Sequence, residues 1–387
     1  TAVPKPTASQ SVQHTQKTGS KFRAWTPRFW HGMNAAGWFS LLARNRFAVT
    51  PSRWAMAAII SSFAPCNVFF SVLQRARYGR KIAETELADD PIFVIGHWRS
   101  GTTYLHELLV RDPRFTYPNT YDVFAPNHFL VSGAAIKPWV KYLLPATRPM
   151  DNVAAGWERP QEDEFALCAL GLRSPYLTIA FPNRPQDAEY LTLAAVSDEA
   201  LARWKERFLW FLKCLTIRDP KRIVLKSPPH TARVRVLLEM FPRARFIHIV
   251  RDPYVLFPST VNLWSALYRD HGLQHPHYEG FEERVFDTFS RMYEAFERDR
   301  ALVPPGQLAD VHYEDLVADP LAEMERLYRE LDLGDFEAAR AALEPFVSRQ
   351  RDYKTNRYEI APELRREIAE RWGAYFDRYG YPREAPG

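Results

Sequence analysis

The chain has 387 residues, 46% of them hydrophobic, which is enough for a large buried core and the usual make-up of a globular enzyme. A formal charge of +5 points to an anionic partner, but the basic residues are scattered and form no arm or recognisable reader of bases, so nucleic acid is not expected. Three widely separated cysteines, Cys66, Cys168 and Cys214, argue against a disulfide framework and a zinc site and suit a reducing compartment.

Residues 1–20 are polar, lack the apolar segment of a secretory signal and read as a flexible tail, so a cytoplasmic location is expected. An aromatic, basic and helical extension follows over 21–88. Within it, "WAMAAIISSFAPCNVFFSVL" (54–73) is uncharged over a length that could cross a bilayer. Pro65 favours a buried helical hairpin broken near Ala64. The flank Arg75, Arg77, Arg80 and Lys81 keeps peripheral attachment to a membrane surface open as the alternative, ahead of a true span.

The main domain is expected over 89–387. Its strands are short apolar runs: "PIFVIG" (91–96), "RIVLKS" (222–227), "RFIHIV" (245–250) and "LADVHYEDL" (308–316). Helical patterns at 103–111, 230–241, 254–268, 282–301 and 321–346 separate them. Alternation of this kind predicts an α/β fold, a P-loop-type parallel sheet flanked by helices. An insert at about 116–221, helical and irregular with no strand alternation, would lie over one rim of the sheet. In such sheets ligands sit beyond the carboxyl ends of the strands, and the segments there are "GHWRSGTT", "KSPPH" and "RDPYVLFPS".

Gly96 and Gly101 carry the spacing of a nucleotide-phosphate loop, with Thr103 in its Ser/Thr place, but Thr102 stands where such a loop needs lysine. A helix beginning there would still aim its N-terminus at an anion, and Arg99 could restore the missing charge. Lys226 closes a strand, and Arg251 and Ser259 flank the next helix start, where Asp252 and Pro253 form a good cap. "GHWRSGTTYLHELL" followed by "RIVLKSPPHTARVRVLLEMFPRARFIHIVRDPYVLFPSTVNLW" resembles the sulfotransferases that use 3′-phosphoadenosine 5′-phosphosulfate (PAPS), in the bacterial branch related to the tyrosylprotein and carbohydrate enzymes. The resemblance spans roughly residues 90–320, and it implies PAPS as co-substrate. It implies that Arg99, Ser100, Gly101, Thr102 and Thr103 hold the 5′-phosphosulfate and that Arg251 and Ser259 hold the 3′-phosphate. It also implies that Lys226 is catalytic, steadying the leaving phosphate together with Arg99. "HYEDLVADP" (312–320) matches a recurring structural segment of the family.

The general base does not transfer cleanly from relatives. "PQEDEF" (160–165) crowds Glu162, Asp163 and Glu164 into a helix start, and similar strings occur in bacterial members of the branch. Glu162 and Glu164 lead, with His230 and then Asp122 as alternatives. Lys354 and Arg357 are candidates to cover the 3′-phosphate. His271, His275 and His277 lie close together without an accompanying cysteine or acid, so no metal is expected. The expected reaction moves a sulfonate group to a hydroxyl of a small molecule, lipid or glycan. The abundance of aromatic residues (18 Tyr, 25 Phe and 11 Trp) leans toward a lipophilic acceptor. The rival readings are a P-loop phosphotransferase and a non-catalytic anion-binding protein of the membrane surface.

Overall fold

A computed structural model describes residues 27–140, 156–350 and 358–383. Two helices open the described chain, α1 (Ala35–Arg44) and α2 (Trp54–Glu84), and lead into β1 (Ile92–Ile95) and α3 (Thr102–Leu109). The two-residue strand β2 (Phe115–Thr116) precedes α4 (Thr120–Phe124), α5 (Phe129–Val140), α6 (Asp163–Ala169) and the long α7 (Asp198–Arg218). Then come β3 (Arg222–Lys226), α8 (Val234–Met240), β4 (Arg245–Val250), α9 (Pro253–His271), α10 (Phe281–Asp299) and β5 (Leu308–His312). The chain closes with α11 (Tyr313–Ala318), α12 (Pro320–Leu331), α13 (Phe336–Gln350), α14 (Pro362–Arg371) and α15 (Gly373–Tyr379).

All five strands pair in parallel in the order β2-β3-β1-β4-β5, with Val94 opposite Lys226 on one side and Ile247 on the other. Alternation along β1 sends Phe93 and Ile95 into one apolar core and Ile92 and Val94 into the other. β4 divides likewise, with Phe246 and Val250 on the first face and Ile247 and Ile249 on the second. A sheet buried on both faces needs apolar side chains at successive positions, which is why these strands stand out in the sequence as unbroken runs. The fold is the expected α/β sheet flanked by helices.

Three local expectations are corrected. Residues 54–73 form no hairpin: α2 runs unbroken through Pro65 for 31 residues. Pro65 lies on the exposed side, while Ala64 and Asn67 pack inward on either side of it, so tertiary contacts hold the helix where the imide leaves a backbone bond unmade. The supposedly strand-free stretch begins with β2, which pairs with β3 at the sheet edge and is too short for any periodicity to show. The helical pattern over 321–346 splits into α12 and α13 at Asp332 and Gly334, both at positive φ.

Candidate active site

Because the strands are parallel and β1 lies between β3 and β4, the segments leaving all three emerge together at one edge of the sheet. The loop after β1 is cut for close approach to its neighbours. Gly96 sits at φ +143°, and a Cβ there would lie 2.5 Å from the Ile249 carbonyl oxygen. Gly101, at φ +107°, caps α3, and a Cβ there would meet the Tyr313 ring at 2.3 Å. Arg99 also takes a left-handed conformation, φ +72°, which L-residues adopt only when their surroundings enforce it. The Gly96 amide donates to Thr231 Oγ1 at 2.7 Å, and the Thr260 hydroxyl lies 3.3 Å from the Trp98 carbonyl, tying the loop to both flanking segments. Ser100 is fully buried, its hydroxyl donating to the His97 carbonyl at 2.8 Å. Thr102 and Thr103 open α3, where first-turn amides have no acceptor within the helix.

Arg99, Arg251 and Ser259 come together. Arg99 Nε donates to Ser259 Oγ at 2.9 Å, and Arg251 Nη1 donates to the Arg99 carbonyl at 2.9 Å. The Arg251 guanidinium stacks 4.1 Å from the centre of the Tyr313 ring, and its backbone amide and carbonyl both bond the Tyr375 hydroxyl. Burial pulls Arg251 below its ordinary value; Tyr313 opposes that shift and the neighbouring Arg99 adds to it. Two neighbouring cations, one of them on a hydroxyl, form a set that an anion would relieve. Arg99 thus meets Ser259 through its side chain and Arg251 through its carbonyl.

Lys226, the last residue of β3, forms the second half of the site. Its Nζ donates to Glu162 Oε1 at 2.6 Å; the lysine side chain is 3% exposed and the glutamate 16%. Glu162 Oε2 accepts the Tyr176 hydroxyl proton at 2.5 Å, and the same hydroxyl accepts from Trp98 Nε1 at 2.8 Å. Burial and then Glu162 push the Tyr176 hydroxyl well above its ordinary range, so it acts as a donor. Phe165 and Trp264 pack edge-on to Tyr176, and Phe29 stacks on Phe165 at 3.8 Å, so Tyr176 is fixed in an aromatic cluster beside the carboxylate.

The other candidate bases are placed differently. Glu164 is fully buried, bonded by Arg233 Nη1 at 2.6 Å, Arg233 Nη2 at 3.0 Å and Ser174 Oγ at 2.5 Å. His230 Nε2 lies 2.7 Å from Asp163 Oδ2, and Ser227 Oγ donates to Asp163 Oδ1 at 2.9 Å, all three being fully buried. Burial alone would raise the Asp163 carboxyl; His230 and Ser227 outweigh it and hold the group below its ordinary range. Asp122 completes the capping box of α4 and is paired with Arg218, apart from the three loops. Lys354 and Arg357 lie outside the described residues. His271 is buried against Phe29 and His275 bonds Ser52, and no cluster of three or more metal-ligating side chains occurs among the described residues. Asp163 stands in the acidic string read from sequence, whereas Tyr176, Arg233 and Tyr375 carry no local signal, because each acts through a partner in another element.

Known proteins share this architecture. The family model described as "Sulfotransferase family" matches residues 91–337. The omega-hydroxy-beta-dihydromenaquinone-9 sulfotransferase Stf3 of Mycobacterium tuberculosis is 46% identical over 368 residues, 95% of each chain. Human carbohydrate sulfotransferase 6 is 24% identical over 260 residues, covering 61% of this chain and 62% of its own. The crystal structure of sulfotransferase STF9 from Mycobacterium avium superposes with a TM-score of 0.63 at 18% identity, over 89% of this chain and 96% of its own, a likeness of fold. With its strand-end motifs inside the matched span and a relative this similar along nearly its whole length, the chain belongs to the sulfotransferase family.

Proposed function

We propose that the protein transfers a sulfonate group from PAPS to the hydroxyl of a lipophilic acceptor, giving a sulfate ester, and that the acceptor is a hydroxylated lipid of the menaquinone type. The observation that carries this reading is the Lys226–Glu162 pair, set at the same edge of the sheet as the Arg99–Arg251–Ser259 cluster. The residues fit such a donor: a Cβ at Gly96 or Gly101 would collide with its surroundings, leaving bare backbone at the loop, and the Arg99 guanidinium on Ser259 is joined to Arg251 through the Arg99 carbonyl. Arg99, Arg251 and Ser259 would bind the 3′-phosphate, while Ser100, Gly101, Thr102 and Thr103 would present the start of α3 to the 5′ end.

When bound, the donor supplies an electrophilic sulfonate sulfur with a phosphate as leaving group. Glu162 takes the acceptor's hydroxyl proton on a carboxylate oxygen, and Tyr176 keeps that carboxylate oriented. As Glu162 becomes neutral its hold on Lys226 weakens, which frees Nζ to donate to the oxygen where negative charge develops. The aromatic cluster of Phe165, Tyr176 and Trp264 suits the body of a flat or prenylated acceptor. The similarity to Stf3, whose name specifies a menaquinone derivative, supports this acceptor class. The test is calorimetric titration with adenosine 3′,5′-bisphosphate, with ATP as control, followed by mass detection of sulfated product from PAPS and an ω-hydroxylated menaquinone. Binding of the bisphosphate but not ATP, together with product, is expected. Magnesium-dependent ATP binding in its place would refute the reading.

A further inference from the structure

Helix α2 is apolar on both faces, and two amides point inward. Its inward positions are Met56, Ile60, Ala64, Asn67, Gln74 and Ile82. The two amides are used inside: Asn67 Nδ2 donates to the His31 and Met33 carbonyls at 2.7 and 3.0 Å, and Gln74 Oε1 accepts from the Leu130 amide at 2.9 Å. The outward face is apolar, with Phe69 and Trp54 each 63% exposed, Val72 62%, and Phe63, Val68 and Leu73 exposed beside them. A helix on a water-facing surface normally shows the opposite arrangement, and a continuous apolar stripe outside marks an interaction surface. From Trp54 to Leu73 this stripe runs roughly 28 Å at about 1.5 Å per residue.

The chemistry changes abruptly at its end. Arg75, Arg77, Arg80 and Lys81 are all exposed, and no acid occurs from Trp54 to Ala83. At the other end the Trp54 indole donates to the Val49 carbonyl, holding beside it the turn that exposes Phe47. The segment Pro51–Glu84 is long and apolar enough to cross a bilayer, with mean hydropathy 1.8 over its best window. Crossing would strip its inner face from the body, including the bond from Trp38 Nε1 to Ser61 Oγ at 2.9 Å and that from Lys213 Nζ to the Ala83 carbonyl at 2.9 Å.

We propose that α2 lies flat on an anionic bilayer, its Trp54–Leu73 face among the acyl chains and its Arg75–Lys81 turn on the headgroup phosphates. A face with Arg75, Arg77, Arg80 and Lys81 against a single acid, Glu84, which lies 3.7 Å from Arg80, complements an anionic lipid surface, whereas a second copy of the same face would meet it with like charge. The test is flotation of the full chain with vesicles of phosphatidylcholine containing phosphatidylglycerol, and with phosphatidylcholine alone. The wild type is expected to float with the anionic vesicles. The variant Phe69→Ser/Val72→Ser should lower the bound fraction roughly tenfold or more, from the lost apolar burial. Arg75→Gln/Arg77→Gln should remove the preference for anionic lipid. Calorimetric binding of adenosine 3′,5′-bisphosphate by each variant shows that the fold is intact and keeps this result separate from the question of sulfonate transfer. A wild type that stays unbound with both vesicle types overturns the proposal. So does a serine variant that floats like wild type, or one that loses only a self-associated state measured by light scattering.

Discussion

Replacing Glu162 by glutamine tests the proposed chemistry most directly, because the structure separates what the change removes from what it keeps. Glu162 accepts two bonds, from Lys226 Nζ at 2.6 Å and from the Tyr176 hydroxyl at 2.5 Å. Glutamine retains a carbonyl oxygen for Lys226. Its amino group then faces a tyrosine oxygen that already accepts from Trp98 Nε1. One charge-assisted bond is exchanged for a poorer one, which costs about 1–2 kcal/mol of stability and leaves the fold in place. The loss of a group that can take a proton is larger. General-base catalysis supplies about 10²–10⁴-fold, or about 3–5 kcal/mol of activation free energy. Release of adenosine 3′,5′-bisphosphate in single-turnover mixing with PAPS and a hydroxylated menaquinone should therefore slow by at least about a hundredfold. Affinity for the bisphosphate itself, measured by calorimetry, should change little, because Arg99, Arg251 and Ser259 are untouched. A Glu162→Gln protein that turns over within about threefold of wild type refutes the assignment. If bisphosphate affinity falls as far as the rate, Glu162 organises the site without acting as its base.

Arg251→Ala and Ser259→Ala should each weaken bisphosphate binding, Arg251→Ala by about 10–100-fold from the loss of a charge-assisted contact, as read by titration calorimetry. Glu164→Ala leaves Arg233 buried without its partner and should cost about 3–5 kcal/mol in urea unfolding, more than the Glu162→Gln change. Acid should destabilise the protein through buried neutral histidines. Burial lowers His31 and His128 to about 4 and His97 to about 3, from an ordinary 6.5. The unfolded chain takes up these protons first, so the stability is complete above about pH 6.5 and is lost as the pH falls toward the folded values. On the order of 5 kcal/mol should disappear between pH 7 and pH 5, seen as a lower urea midpoint.

The parts of this fold that could be read from sequence are those in which one local pattern meets one physical demand. β1, β3 and β4 are buried on both faces, so each had to be an uninterrupted apolar run, and each was visible. β2 has two residues and owes its existence to its pairing with β3, so nothing local could announce it. Pro65 reads as a break because a proline removes a helical bond. What keeps α2 intact is packing by Ala64 and Asn67 against elements far away in the chain, which no window of sequence contains. The same divide runs through the site. That Lys226, Arg251 and the glycine loop would meet followed from parallel topology alone. That the Arg99 side chain would turn to Ser259, 160 residues away, did not.

The three consecutive acids show why spacing could not choose among them. Around a helix start, successive side chains point about 100° apart, so Glu162, Asp163 and Glu164 face three different directions. Each meets a different group at the end of β3 or just after it: Lys226, then Ser227 with His230, then Arg233. The last two of these pairings are wholly buried, and Arg233 neutralises Glu164 internally. They lock the first turn of α6 onto the end of β3. The remaining pairing, Glu162 with Lys226, is held by those two and carries the most exposed carboxylate of the three. A cluster that in sequence reads as one acidic patch thus divides into a clamp, Asp163 and Glu164, and one partly exposed acid, Glu162, which is the base proposed for the acceptor hydroxyl.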